Sequence, residues 1–390
     1  MTALRSTGWA RSPGGSSLGH LLDLIRSRPN WTRGQLLTET GLSRTTLTER
    51  LDMLFRAGLA YEGGSAASTG GRPASLIRFE DRGRVVLAID LGHRHGQIAI
   101  TDLDGVTLRQ RGMPIDIGSP PAQLLGKVYA IADELLAEGD DEQLVGVGVG
   151  VPGPVSPATG RLTPIPIMPG WHLHPIVEEI ESRWGAPALL ENDARAYALG
   201  VAATRPEEAT PLIAVKYSTG IGAGIMIDGH LLCGVDGAAG DIGHIRIVSG
   251  PGRRCSCGRT GCLAAYASGR ALLGQVPRGT AKSIGDLAAR ALDDKSVASV
   301  VREGARLLGN TLASLVATVN PQAVVLGGPL GRLALVVDEV RAQIEAGVID
   351  RVVAPLEVTA GSADFPATTG LAALVVGHVY APDTVEAKPR

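Results

Sequence analysis

Gly240-Asp-Ile-Gly-His244, followed after a short loop by Cys255-Ser-Cys-Gly-Arg-Thr-Gly-Cys-Leu263, is the stretch around which this chain is organised. The chain has 4 Cys in 390 residues, and three of them, Cys255, Cys257 and Cys262, share this Gly- and Arg-rich loop. His244 lies 11 residues before the first. Three thiolates and an imidazole make a closed tetrahedral set, which suits a structural zinc ion. Zinc would tie a loop almost without apolar side chains to the strand carrying His244, so metal binding becomes local folding energy. The plain alternative is buried or disulfide-linked cysteines. A Cys-x-Cys pair is too close for an easy mutual disulfide, however, and nothing indicates an oxidising compartment. The fourth, Cys233, sits in the apolar run Leu231-Leu-Cys and reads as a core residue.

The length predicts two or three domains with a large core. The composition is globular, 44% hydrophobic and 19% charged, and its 52 Gly imply many tight turns and close backbone approaches to a ligand. Net charge is informative only when split. Residues 1–82 hold 11 Arg against 7 acidic residues, a net of +4, whereas the remainder has a net of −6 and all 5 Lys. A small Arg-only basic module thus precedes a larger acidic body, an asymmetry expected of a nucleic-acid-binding front. Residues 1–15 are polar with no apolar signal region, and no 18-residue apolar run exists. The expected compartment is the cytoplasm, with no membrane contact.

Leu18, Leu21, Leu22 and Ile25 recur at helical spacing and predict a helix over 16–28. Thr32 and Gln35 form a capping box for a short second helix. After the Gly41 turn, Ser43 caps a third helix, Arg44 to Ala57, with a buried stripe of Leu47, Leu51, Leu54 and Phe55. This is a helix-turn-helix pattern. Ser43, Arg44, Thr45, Thr46 and Arg50 are the candidate DNA contacts. A plain three-helix bundle with a solvated face is the alternative. Two short strands follow, Leu59-Ala-Tyr-Glu and Ser75-Leu-Ile-Arg-Phe, flanking Gly70-Gly-Arg-Pro73. They read as a wing whose Arg72 suits a narrow minor groove or is simply a solvated loop residue.

The body alternates apolar strands with Gly-rich turns and carboxylates. Arg84 to Ile89 ends in Asp90-Leu-Gly92-His-Arg, and Leu144 to Val149 runs into Gly148-Val-Gly-Val-Pro-Gly-Pro. Ala188 to Glu191 leads into Asn192-Asp193 and a helix. Leu212 to Lys216 runs into Ser218-Thr219-Gly220-Ile-Gly222-Ala-Gly, and Ala323 to Leu326 ends in Gly327-Gly328. Strands ending this way describe an α/β body with a cleft at the strand ends, where backbone N–H groups can cradle a phosphate. Adjacent Asn192 and Asp193 offer donors and acceptors to hydroxyls, although Asp193 also fits a simple helix N-cap.

Taken together, Val147-Gly-Val-Gly-Val-Pro-Gly-Pro154, Glu191-Asn-Asp193, Ser218 to Gly224, Ala239 to His244 and the Cys-x-Cys-Gly-x-x-Gly-Cys loop resemble the ROK family over about residues 84–381. That family comprises bacterial sugar kinases and transcriptional repressors. The resemblance implies a winged helix-turn-helix followed by a two-lobed actin-like, RNase H-like ATPase body. The expected division is a disordered tail at 1–15, a DNA-binding domain at 16–82 and an effector domain at 83–381. Within the last, lobe one is about 83–191 plus the helix at 367–380, and lobe two about 192–366; residues 382–390 read as a tail. A winged module ahead of the body is similar to the repressor branch.

In the family's kinases the residue matching Asp193 is the general base, and Asn192 and His244 match sugar-contacting positions. Asp193 would hold the catalytic role here only if kinase activity survives. Three departures argue against that. The first phosphate loop of the kinases reads Asp-x-Gly-Gly-Thr, but here it is Asp90-Leu-Gly92-His93-Arg94. The Glu of Gly-Glu-Ile-Gly-His is Asp241, and the Glu expected two residues after the last Cys is Ala264. A sugar-hydroxyl acceptor is then missing or supplied from elsewhere, such as the His172 or His174 region. Asp90, Gly92, Ser218, Thr219, Gly220, Gly222, Gly327 and Gly328 remain as remnants of the phosphate loops. His93 and Arg94 fit either a phosphorylated or acidic effector or a structural contact.

The expectation is a sugar-responsive transcriptional regulator with operator DNA and a sugar as partners, acting as a homodimer or dimer of dimers. Its sugar contacts are Asn192, Asp193, Asp241 and His244, its zinc ligands His244, Cys255, Cys257 and Cys262, and ATP with magnesium is not expected. The rivals are an ATP-dependent sugar kinase with a regulatory front and a regulator controlled by a protein partner.

Overall fold

The computed structural model describes residues 17–65, 74–205, 211–248, 252–362 and 366–387. Helix α1 (Leu18–Arg26) starts at Ser17, whose hydroxyl accepts from the His20 amide at 3.2 Å, and it buries Leu21, Leu22 and Ile25. Strand β1 (Trp31–Thr32) leads into α2 (Arg33–Thr40) through the Thr32–Gln35 capping box, and α2 ends on a left-handed Gly41. Helix α3 (Arg44–Arg56), capped by Ser43, buries Leu47, Leu51 and Leu54, while Phe55 is only half-buried. β2 (Ala60–Ser65) and β3 (Ser75–Phe79) pair antiparallel, and β1 adds to the other edge of β3. Sequence periodicity misses β1 because a two-residue strand has no period; it is held by the buried Trp31, over which the Arg28 guanidinium stacks at 3.3 Å. Arg72 and the Gly70–Pro73 tip lie outside the described residues, as does the segment 1–15.

The body consists of two five-stranded sheets of one design. In the first, β4 (Arg84–Leu91), β5 (His95–Thr101) and β6 (Thr107–Pro114) form a meander. Helix α4 (Pro121–Ala137) then crosses to β7 (Gln143–Val151), and α5 (Ile176–Trp184) to β8 (Ala188–Asn192), both strands parallel to β4. The order is β6-β5-β4-β7-β8. Helix α6 (Asp193–Ala203) leaves β8 directly. The second sheet repeats the pattern. β9 (Leu212–Tyr217), β10 (Ile221–Ile227) and β11 (His230–Leu231) form the meander. Short helices α7 (Ala264–Ala267) and α8 (Gly269–Leu273), then α9 (Ile284–Asp293) and α10 (Lys295–Val319), lead to β12 (Ala323–Gly327). Helices α11 (Gly328–Gly331), α12 (Ala334–Gly347) and α13 (Asp350–Val353) lead to β13 (Glu357–Ala360), giving β11-β10-β9-β12-β13. The central strands are apolar runs buried on both faces, which is why they read as continuous hydrophobic segments. A winged helix-turn-helix followed by this paired-sheet body is the actin-like architecture that the resemblance implies.

Helix α14 (Pro366–Val379) packs between the sheets, on β4 and β7 and against α6. It is apolar almost all round because it is covered almost all round. The two helices cross at glycines: a Cβ on Gly200 would meet the Pro366 carbonyl oxygen, and one on Gly370 the Ala196 carbonyl oxygen. After α14 the chain forms α15 (Pro382–Ala387), a helix where the sequence predicts a tail. The reason is apolar: Val385 enters a core with Leu21, Leu22 and Ile25, and Glu386 accepts the Leu18 and Gly19 amides at the start of α1.

That core also takes Val86, Val375, Val376, Val379 and Tyr380 from the body. Burying each such side chain stabilises by roughly 1.5–3 kcal/mol relative to exposure. Arg84 reinforces the seam, donating to the Gly58 carbonyl at 2.6 Å and the Tyr380 hydroxyl at 3.1 Å. The front module is therefore packed on the body instead of hanging from a linker.

Candidate functional site

A cavity of about 460 Å³ opens between the sheets, at the ends of β4, β8 and β9. Of the sequence candidates, Gly92, Asn192, Asp193, Ser218, Thr219, Gly220, Gly222, Asp241 and His244 line it. Gly327 and Gly328 do not. Their missing Cβ atoms make room for the Tyr197 ring and the Tyr217 carbonyl, so they serve packing within the second sheet. His172 and His174 are not at the cavity either. Glu179 of α5 holds the His174 ring at 3.0 Å. Cys233 is half-buried, not in the core, because its turn also exposes Leu232 and Val235.

The chain leaves β8 at Asn192, which is the N-cap of α6. Its Oδ1 accepts from the Ala194 and Arg195 amides at 3.0 and 3.1 Å, and its Nδ2 donates to the Gly153 carbonyl at 3.2 Å. Capping falls to Asn192, and Asp193, one residue on, turns into the cleft. There its Oδ2 meets the Lys216 ammonium at 3.0 Å. Lys216 also meets Asp90 Oδ2 at 3.3 Å. All three side chains are largely buried, at 13–20% exposure. Burial opposes the Lys216 charge, but Asp193 and Asp90 outweigh it and its pKa lies above the ordinary lysine value. Burial also raises Asp90, against the pull of Lys216. Lys216 was missed from sequence. The available signal was a single cation at the end of an apolar strand, just before a Gly-rich turn.

Behind Asp193, the guanidinium of the buried Arg195 pairs with Glu191 and donates to the carbonyls of Gly237 at 2.8 Å and Val155 at 3.3 Å. Burial raises Glu191, with Arg195 opposing. One arginine thus ties together the 153–157 and 233–240 loops that wall the cleft, which sequence reasoning also missed.

His93 lies over the Ser218–Gly222 turn, its Cε1 3.5 Å from where a Gly220 Cβ would stand. The imidazole occupies the space above the turn. Burial, partly offset by Asp193, lowers its pKa. Arg94 turns away to an exposed pair with Asp116 at 3.1 Å.

At the other wall, His244 sits on a short 3-10 turn (Ile242–His244), not a strand. Its ligand atom and those of Cys255, Cys257 and Cys262 lie within 4.8 Å of one another. Cys257 Sγ and Cys262 Sγ are 3.7 Å apart, and Cys255 Sγ is 3.4 Å from His244 Nδ1. The tetrahedral edge for ligands at ~2.3 Å from zinc is ~3.7 Å, so this set can hold a metal such as zinc. The second ring nitrogen, Nε2, faces Asp241 Oδ1 at 3.9 Å.

On the DNA-binding candidates, Ser43, Arg44 and Thr45 are exposed and Thr46 and Arg50 half-buried. Ser43 Oγ is engaged with Thr46, whose amide it accepts at 3.1 Å, and Arg50 turns a buried nitrogen inward. Among the described residues, no helix is long and apolar enough to cross a membrane.

The ROK family pattern matches residues 86–378. A putative xylose repressor from Caldicellulosiruptor sp. (strain Rt8B.4) is 30% identical over 326 residues, covering 79% of this chain and 81% of that protein. The xylose repressor of Bacillus subtilis (strain 168) is 27% identical over 92% of this chain and 94% of its own. A crystal structure of a ROK family transcriptional regulator, homolog of the E. coli MLC protein, superposes with a TM-score of 0.77 at 25% identity over 95% of this chain and 98% of that one. A ROK family glucokinase from Streptomyces griseus, solved with glucose and AMPPNP, gives 0.62 at 26% identity, covering 74% of this chain and 98% of its own. The Bacillus subtilis repressor and the regulator thus match the front module as well as the body. By pattern, sequence and fold, the chain belongs to the ROK family, in the branch that carries a winged helix-turn-helix ahead of the family body.

Proposed function

We propose that this protein is a sugar-responsive DNA-binding repressor of carbohydrate-metabolism genes, and not an enzyme. The observation that carries the reading is the unbroken packing from cleft to DNA-reading module. Asp193 begins α6, α6 crosses α14 at glycines, and α14 shares its core with α1 and α15. A sugar that draws the cleft walls together shifts α6 and α14, and the front module with them. Its coupling equals its difference in affinity for the DNA-competent and incompetent states.

In this reading residues 16–82 bind the operator, with Arg44 and Thr45 at the groove, and residues 83–381 bind the effector. Asp193, Asp241 and His244 meet sugar hydroxyls, and Asn192 holds the helix start in place. Zinc is structural. Bound to His244 Nδ1, it would leave the proton on Nε2, which donates toward the cleft. One module reads a half-site, so the active species is a homodimer or larger. ATP with magnesium is not used. His93 fills the space over the Ser218–Gly222 turn, and the Gly327–Gly328 turn is given to packing.

The relatives named xylose repressors make xylose the first effector to try, followed by other pentoses and hexoses. An operator selected from random duplexes, labelled for anisotropy, would be titrated with protein and then with sugar. Release or tightening by one sugar at fixed salt supports the reading. ATP-dependent phosphorylation of a sugar at an enzyme-like rate would overturn it in favour of a kinase.

A further inference from the structure

We propose that the Lys216 ammonium is a built-in cation that stands between Asp90 and Asp193 in place of a divalent metal, and that it keeps metal-bound nucleotide out of the cleft.

Two carboxylates converge on one point, from the end of β4 and the start of α6. Magnesium in phosphoryl-transfer sites is held by one or two carboxylates together with substrate phosphates. Here the point of convergence is already taken. Lys216 Nζ lies 3.0 Å from Asp193 and 3.3 Å from Asp90. It arrives from β9, the central strand of the opposite sheet, so it cannot be displaced without burying two unpaired carboxylates. Removing one partner from a buried ion pair is strongly destabilising, because it leaves an uncompensated buried charge. The raised proton affinity of Lys216 keeps the cation in place at any physiological pH. A metal complex would have to dislodge a tethered charge that carries no entropy cost of association. Asp193 has an oxygen committed to the ammonium, and that commitment removes it as a ready proton acceptor. An ammonium has three hydrogens, two of them facing these carboxylates, and Lys216 lines the cavity, so the third is available to a ligand oxygen. The same side chain therefore rejects metal and nucleotide and can accept an uncharged hydroxylated ligand.

The inference rests on the sensor reading only in that it explains a cleft working without nucleotide. It concerns charge, whereas the His93 substitution concerns space.

The test is manganese binding, followed by electron paramagnetic resonance on zinc-loaded, full-length protein. Three proteins are compared: wild type, Lys216→Ala, and Lys216→Ala with Asp90→Asn. Wild type should show only weak surface binding. Lys216→Ala should gain a manganese site at least tenfold tighter, and the double variant should lose it. Lys216→Gln, which keeps length and hydrogen-bonding capacity, serves the same comparison should the alanine variant not fold. Wild type that already binds manganese in an Asp90-dependent way would overturn the proposal. So would folded Lys216 variants with no gain. Sugar titrations of the wild type run separately: no sugar binding with a manganese gain in the variant sinks the sensor reading alone, and sugar binding without that gain sinks this proposal alone.

Discussion

Gly370 of α14 lies against the backbone of Ala196 in α6, so closely that a methyl group on residue 370 would stand 1.9 Å from the Ala196 carbonyl oxygen. The helix that begins in the cleft and the helix that supports the DNA-reading module are thus in backbone contact, with no side chain between to absorb movement. Gly370→Ala must spread the pair and should cost about 1–3 kcal/mol of stability. Denaturant unfolding reads the cost. Operator anisotropy should show a weakened sugar response even where sugar affinity is kept. An unchanged unfolding midpoint would mean that the helices separate freely.

Chelating the metal should loosen the His244 wall. Elemental analysis of purified protein is expected to give one zinc per chain, and Cys257→Ser to reduce it. Because a ligand's orientation depends on the metal, sugar affinity should fall by about 10–100-fold in the depleted protein. Full sugar affinity after verified zinc removal would detach the metal from the site.

Arg195→Met leaves Glu191 buried without its partner and frees the loops at Val155 and Gly237. The expected loss is about 3–5 kcal/mol. Glu191→Gln combined with Arg195→Met should recover part of it, and a double-mutant cycle measures how much.

Protonation offers a check on His93. Its folded pKa lies below the ordinary value of 6.5, because burial disfavours the imidazolium. The unfolded chain therefore takes up the proton first. The histidine's contribution is complete above the unfolded pKa and is lost as pH falls through the folded one. Unfolding midpoints measured at neutral pH and near pH ~5 should diverge less in His93→Asn than in wild type. Equal slopes would place the imidazole in water.

Arg44 is exposed and no hydrogen bond or ion pair engages its guanidinium among the described residues, so Arg44→Ala should leave stability unchanged. Operator affinity should fall, and if the contact is to phosphate the salt dependence should weaken by about one unit of slope. Anisotropy at several salt concentrations separates a phosphate contact from a base contact.

Much of the architecture was legible because it depends on local signals. Period-three-to-four leucines and caps at Thr32 and Ser43 define the front helices, and buried apolar runs define the central strands. The group that could hold a metal was legible because three of four cysteines share a loop. Lys216 and Arg195 were not, since what makes them important is which distant carboxylates and carbonyls they reach, and spacing carries no trace of that. Helix α15 was hidden for a similar reason: six residues with a single buried valine have no periodicity, and their order comes from α1, at the far end of the chain. Asn192 and Asp193 were both legible as polar residues at a helix start, but only coordinates show which one caps and which one faces the cleft.

The seam between α1 and the pair α14 and α15 has a consequence for synthesis. The front module leaves the ribosome well before Val375, Val376, Val379, Tyr380 and Val385, which complete its core. Until they are made its apolar face lacks a partner several hundred residues away, a contact of high sequence separation and slow closure. Folding of the front module is thereby tied to synthesis of the body. A chain truncated before residue 366 would carry the front module with that part of its core open to water.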